Sequence, residues 1–269
     1  MISKDSIVSN QVVSQSYISA CVQSLKDYDL GEPQLIQPRG LFTSADDVVE
    51  PGKGSIVGDG ILTFSGNLTG ANRTDAQNAF LYASLVANKF YPLESQGKEW
   101  YMQFREVMTN AGWSPISKYY SDLTVGGTSV RMDKLVLEIL GSVVAGLAIP
   151  GPSTALMLKV AGEAIASLAK RDTALTLYER NLLENGMCGV TAGSCTEVNG
   201  VTVFAIGAVR FARKNTSTKV LFVDVDIRNV NLYRGETSFE KNDLVAEATR
   251  AVIAEKLIKH ATKTIDYDI

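Results

Sequence analysis

Through the middle of the chain the apolar residues recur at helical spacing, and beyond Asn185 the spacing shortens to that of strands. Leu135, Val136, Ile139, Leu140, Val143, Val144 and Leu147 lie three and four apart with Lys134, Glu138 and Ser142 opposite, which predicts an amphipathic helix over 132–148. From Ile139 to Leu158, twenty residues pass without a charged side chain. An uninterrupted run of roughly 18 apolar residues would read as a transmembrane helix. Here Ile149-Pro150-Gly151-Pro152 breaks the run, because proline cannot sit in a helix interior and glycine favours a turn. The pattern predicts an apolar helical hairpin over 135–168, two helices meeting at a sharp corner.

After that corner, Ser153 to Asn185 predicts one helix of roughly 33 residues, about 50 Å long, stopped by Asn185-Gly186. Leu168, Leu175 and Leu182 recur every seven residues, so its second half is expected to lie along another helix. Upstream, Thr74 and Gln77 predict a capping box opening a helix to Phe90, ahead of Pro92. Trp100, Phe104 and Met108 share one face of a further helix from about Gln96 to Ala111-Gly112. Nearer the start, Ser14 to Leu25 is helix-like, and 61–66 alternates as a short strand between glycine turns. Val201 to Ala212, a polar turn, and the alternating Lys219 to Arg228 predict a β-hairpin. Cys188 and Cys195 then fall in a Gly-rich loop, a short strand is expected over 229–234, and a helix begins at Asn242.

The expected fold class is α+β: a helical bundle with a long helix and the apolar hairpin, a small antiparallel β element and a C-terminal helix. Three segments are expected: an N-terminal arm or lid over 1–73, the bundle over 74–186, and a β-hairpin with a terminal helix over 187–269, packed as one unit.

Composition narrows the chemistry. With 26 basic and 29 acidic residues the formal net charge is −3, so nothing global draws the chain to nucleic acid, and no nucleic-acid partner is expected. The first residues lack the apolar core of a secretory signal, which predicts a protein made in soluble form, cytoplasmic or exported by a non-classical route. Three cysteines at irregular spacing make no disulfide framework; a bridge between Cys188 and Cys195 and free thiols both fit the sequence. Close cysteine pairs and neighbouring histidines are missing, so no metal or cofactor is expected. The single histidine, His260, reads as a solvent-facing helix residue, and no catalytic triad is built on it. Asp224 and Asp226 share a strand face, where a solvated surface is the plain reading and carboxylate catalysis the alternative. No catalytic residue is assigned.

The corner of the hairpin is rich in small residues: Gly141, Ala145, Gly146, Ala148, Ala155, Ala161 and Gly162. Such residues allow the close helix contact found between membrane helices. A long-helix bundle sheltering an apolar hairpin beside a β element resembles the α-helical pore-forming toxins over about Asp75 to Gly186, in architecture and without a shared motif. The resemblance implies a soluble form that releases the hairpin after a conformational change and oligomerises on a membrane. Val143, Val144, Leu147, Ile149, Pro150, Pro152, Leu156 and Leu158 are the membrane-inserting candidates, and Glu138, Ser142, Lys159 and Glu163 the lumen-lining ones. Expected partners are a target lipid or receptor, a second protein component, and further copies of this chain. A non-catalytic binding module whose hairpin is permanent core is the alternative, with a carboxylate-dependent enzyme behind it.

Overall fold

The computed structural model describes residues 13–31, 54–147, 149, 151–184, 188–211, 219–228 and 231–265. Along the chain these form α1 (Gln15–Asp27), β1 (Gly54–Val57), β2 (Gly60–Ser65), α2 (Gly70–Phe90), α3 (Gly97–Asn110), β3 (Trp113–Leu123) and β4 (Ser129–Arg131). They continue with α4 (Met132–Gly146), α5 (Ser153–Leu168), α6 (Asp172–Glu184), β5 (Cys188–Val198), β6 (Val201–Phe211), β7 (Asp224–Asp226), β8 (Leu232–Lys241) and α7 (Asp243–Ile265). Six strands form one mixed sheet in the order β1-β2-β5-β6-β8-β3, while β4 and β7 make a separate two-stranded ribbon. Neighbours in the large sheet are antiparallel except β2 and β5, which run parallel.

Side chains alternate across this sheet and feed two cores. On β6, Phe204, Ile206 and Ala208 join Trp100, Phe104, Phe80 and Trp113 on the face covered by α2 and α3, with α1 and α7 outside them. Ala205, Val209 and Phe211 point the other way into the core beneath α4, α5 and α6. The result is a sheet with helices on both faces, two tiers deep on the side of α2 and α3. An ion network ties the first helical layer to the sheet end: Arg250 holds both oxygens of the buried Asp75 at 2.8 Å, and Lys241 reaches the same carboxylate at 2.9 Å.

The expected helical bundle with a small β element is therefore overturned: the sheet is the centre of the molecule, and strands from all three sequence segments meet in it. Of the strands not expected from the sequence, β1, β3, β4 and β5, the one at the centre of the sheet is β5. Its Gly, Ser, Thr and Cys residues read as a loop, but they are small because larger neighbours lie across them. A Cβ on Gly193 would come within 2.7 Å of the Phe204 ring and 2.8 Å of Leu62, and one on Gly189 within 2.4 Å of the Arg210 side chain. Strand β6 forms a tight hairpin with β5, closed by Asn199 and Gly200 at φ 53 and 79, the backbone of a two-residue type I′ turn.

The predicted partner of β6, the alternating 219–228, leaves the sheet. Glu179 of α6 accepts hydrogen bonds from the Val220 and Leu221 amides at 2.9 and 3.3 Å and draws this segment over to β4. The single long helix is two, α5 and α6, parted at 169–171, which lets both Leu168 and Leu182 reach the sheet-side core instead of another helix. Helix α2 begins earlier than predicted, because Thr69 caps it through the Asn72 amide while Thr74 and Asp75 lie inside it.

Candidate functional site

Helix α4 ends with Leu147 as its C-cap, and α5 begins after Pro152, whose φ of −78° already suits a helix. Between them Gly151 takes φ +82, a left-handed conformation that side chains rarely adopt, so the corner depends on glycine there. The two helices close on each other where Leu158 touches the position of Gly141, 4.0 Å from where a Cβ would stand.

One side of this hairpin is core. Met132, Leu135, Val136, Ile139, Leu140, Val143, Val144, Met157, Val160, Ala161, Ile165 and Leu168 are buried against the sheet. Gly207 on β6 lets the α4 backbone come down directly onto the strand, since a Cβ there would lie 2.7 Å from the Leu140 nitrogen. The opposite side and the corner face outward: Ala145, Gly146, Gly151, Pro152 and Ala155 are exposed and Leu156 is 42% exposed. Among the described residues, no atom outside the chain neighbours and the helix's own backbone lies within 4 Å of a Cβ built on Gly146 or Gly151.

The sequence candidates thus separate. Val143 and Val144 are core residues under the hairpin; Leu147, Ile149 and Leu158 are half-buried; Pro152 and Leu156 are presented to the outside; Pro150 lies outside the described residues. Among the lumen candidates, Glu138 and Ser142 are on the outer side of α4, where Ser142 Oγ accepts a 3.5 Å hydrogen bond from Arg234 of β8. Lys159 and Glu163 pair with each other at 3.9 Å on the exposed side of α5. No hydrogen bond or ion pair among the described residues joins the α4 pair to the α5 pair.

Elsewhere the structure corrects the reading of His260 and decides between the two left open for Cys195. His260 is 9% exposed and turns inward from α7, lining a cleft of about 450 Å³ with Lys26, Tyr28, Lys256 and Lys259. Cys195 is a free thiol buried in the first core, and burial pushes its pKa upward. A bridge to Cys188 is not formed: both residues lie on β5, seven positions and so about 23 Å apart. Asp224 and Asp226 are exposed on the two-stranded ribbon, and Asp226 engages Arg228 at 2.6 Å.

Sequence reasoning missed a buried charge pair. Arg210 of β6 runs across Gly189 to reach Asp59 at 3.4 Å, with both side chains almost fully buried and the guanidinium 3.7 Å from the Trp100 ring centre. It anchors the β1–β2 turn to the sheet. Its only trace in the sequence is Gly58-Asp59-Gly60, which reads as a turn.

These features define a mixed α/β protein whose helical hairpin is half core and half exposed surface, with the uncharged part of that surface at the corner. No family model matches the chain, and neither does any curated protein. The solved structure of the Evf virulence factor aligns over 89% of this chain and 89% of its own length, at 14% identity and a TM-score of 0.33. A likeness that loose carries no functional reading, which leaves the geometry of the hairpin as the guide to function.

Proposed function

We propose that the protein is membrane-active and meets the lipid interface with the α4–α5 corner, while the sheet-facing sides of both helices stay docked. The observation that carries this reading is the exposed, uncharged corner centred on Gly146, Pro152, Ala155 and Leu156. The nearest charges on the two helices, Glu138 and Lys159, stand about 9–13 Å along the helix axes from the corner. That depth matches the roughly 5–10 Å to which apolar surfaces sink into the headgroup boundary. Among the described residues no helix is long and apolar enough to cross a membrane, and α4 and α5 each reach only about 24 Å.

Pore formation is the larger form of the same proposal. It requires copies to assemble on the bilayer and the hairpin to leave the sheet, placing Glu138, Ser142, Lys159 and Glu163 along a lumen. Exposing the buried face of the hairpin to water would cost on the order of 20 kcal/mol, more than the roughly 5–15 kcal/mol that holds a typical domain together. Release therefore needs lipid to replace the sheet as the apolar partner, so shallow docking comes first. The alternative, a binding module whose hairpin is permanent core, draws on the direct seating of the α4 backbone on Gly207.

Flotation with vesicles and release of an entrapped dye, comparing wild type with Gly146→Asp, test these readings. The variant has open space for its carboxylate, so its fold is expected to survive. Binding and release that the variant loses support pore formation. Binding without release, again lost in the variant, supports contact alone. A wild type that ignores vesicles at neutral and mildly acidic pH sinks the membrane reading in favour of the binding module.

A further inference from the structure

The large sheet ends in β3, an eleven-residue strand hydrogen-bonded to β8 on one side and to no other strand among the described residues. An unpaired strand edge offers a row of amides and carbonyls to a further chain, and proteins usually blunt such edges with proline, bulges or charge. Two of these features of β3 are at one end, Pro115 and the irregular pairing between Pro115 and Ser117, and the charges on the rest of the strand, Lys118 and Asp122, are of opposite sign. From Ser117 to Leu123 the strand pairs regularly with β8, residue by residue. That regular stretch is seven residues long, and its midpoint is Tyr120.

We infer that this edge pairs with the same edge of a second copy of the chain, antiparallel about a two-fold axis at Tyr120. The inference goes beyond the membrane reading and stands without it. Its support is self-complementary charge. About that axis Lys118 faces Asp122 of the second copy and Asp122 faces its Lys118, Tyr119 faces Ser121, and Ser117 faces Leu123. Lys118 and Asp122 are both exposed and form no ion pair within their own chain among the described residues. Tyr119, 53% exposed on the opposite sheet face, would reach Tyr119 and Leu123 of the second copy along the diagonals. A two-fold contact of this type closes on itself, giving a dimer with a continuous twelve-stranded sheet rather than a fibre.

Sedimentation velocity over a concentration series tests it with Lys118→Asp and Asp122→Lys. Each single variant sets like charges opposite each other at two symmetric places, and self-association should weaken about tenfold or more. Mixed in equal amounts, the two variants should pair with each other, because one carries two acids and the other two bases. The double variant Lys118→Asp/Asp122→Lys should dimerise like wild type. Both residues are exposed, so each variant is expected to fold, which circular dichroism checks. A wild type that stays monomeric at hundreds of micromolar overturns the inference, and so do single variants that dimerise as well as wild type or a mixture that fails to pair.

Discussion

Asp75 shows how a single residue sets a pH window. Burial alone would raise its pKa, but hydrogen bonds and charge from Arg250 and Lys241 outweigh that and hold it below the ordinary carboxylate value. A lowered acid pKa stabilises the fold fully above the unfolded value near about 4, and that contribution drains away as pH falls through the folded value. Asp75→Asn removes the buried partner of Lys241, 3% exposed, and leaves it only the exposed Asp243 at 3.0 Å. Thermal melts should show it less stable by about 3 kcal/mol at neutral pH, with the gap to wild type closing in acid. An equal gap at pH 7 and at pH 2 would contradict that assignment. Cys195 gives a second check at this scale: buried and with its thiol pKa pushed up, it should resist a thiol reagent in the native protein and react on unfolding.

At the scale of elements, the docking of α4 on the sheet rests on Gly207, where backbone meets backbone and neither side can turn aside. Gly207→Ala should lower stability by about 1–3 kcal/mol, read as a fall in melting temperature. Gly146→Ala, in open space on the same helix, should not lower it, and equal losses in both would mean that α4 is not seated as described. Most helices were legible in the sequence, because α1, α3, α4 and α7 owe their place to apolar stripes such as Trp100, Phe104 and Met108. Strand β5 was not, since its small residues record the size of Phe204, Leu62 and Arg210 above them and have no periodicity of their own. Strand β3 escaped for another reason: it is an edge whose residues 115–119 are exposed, so no buried face marks it. The alternation expected over 219–228 holds only in its second half, around β7, while Val220 and Leu221 are buried side by side where Glu179 holds their amides outside the large sheet.

Taken whole, the molecule is a sheet with helices on both faces, and the helices on one face carry a corner that chemistry made visible from the sequence alone. The missing charge from 139 to 158 and the Pro-Gly break located it; which side of each helix faces the sheet depended on strands the sequence had hidden. This arrangement ties the membrane proposal to a definite mechanical statement, that the corner enters the interface while Ile139, Leu140, Val143 and Val144 stay on the sheet. Amide hydrogen exchange of the protein with and without bound vesicles tests it most directly. Slower exchange confined to the corner around 145–156, with the protection of 136–144 unchanged, is the predicted result. Loss of protection through 136–144 on vesicles, or a corner that exchanges as fast with lipid as without, would contradict it.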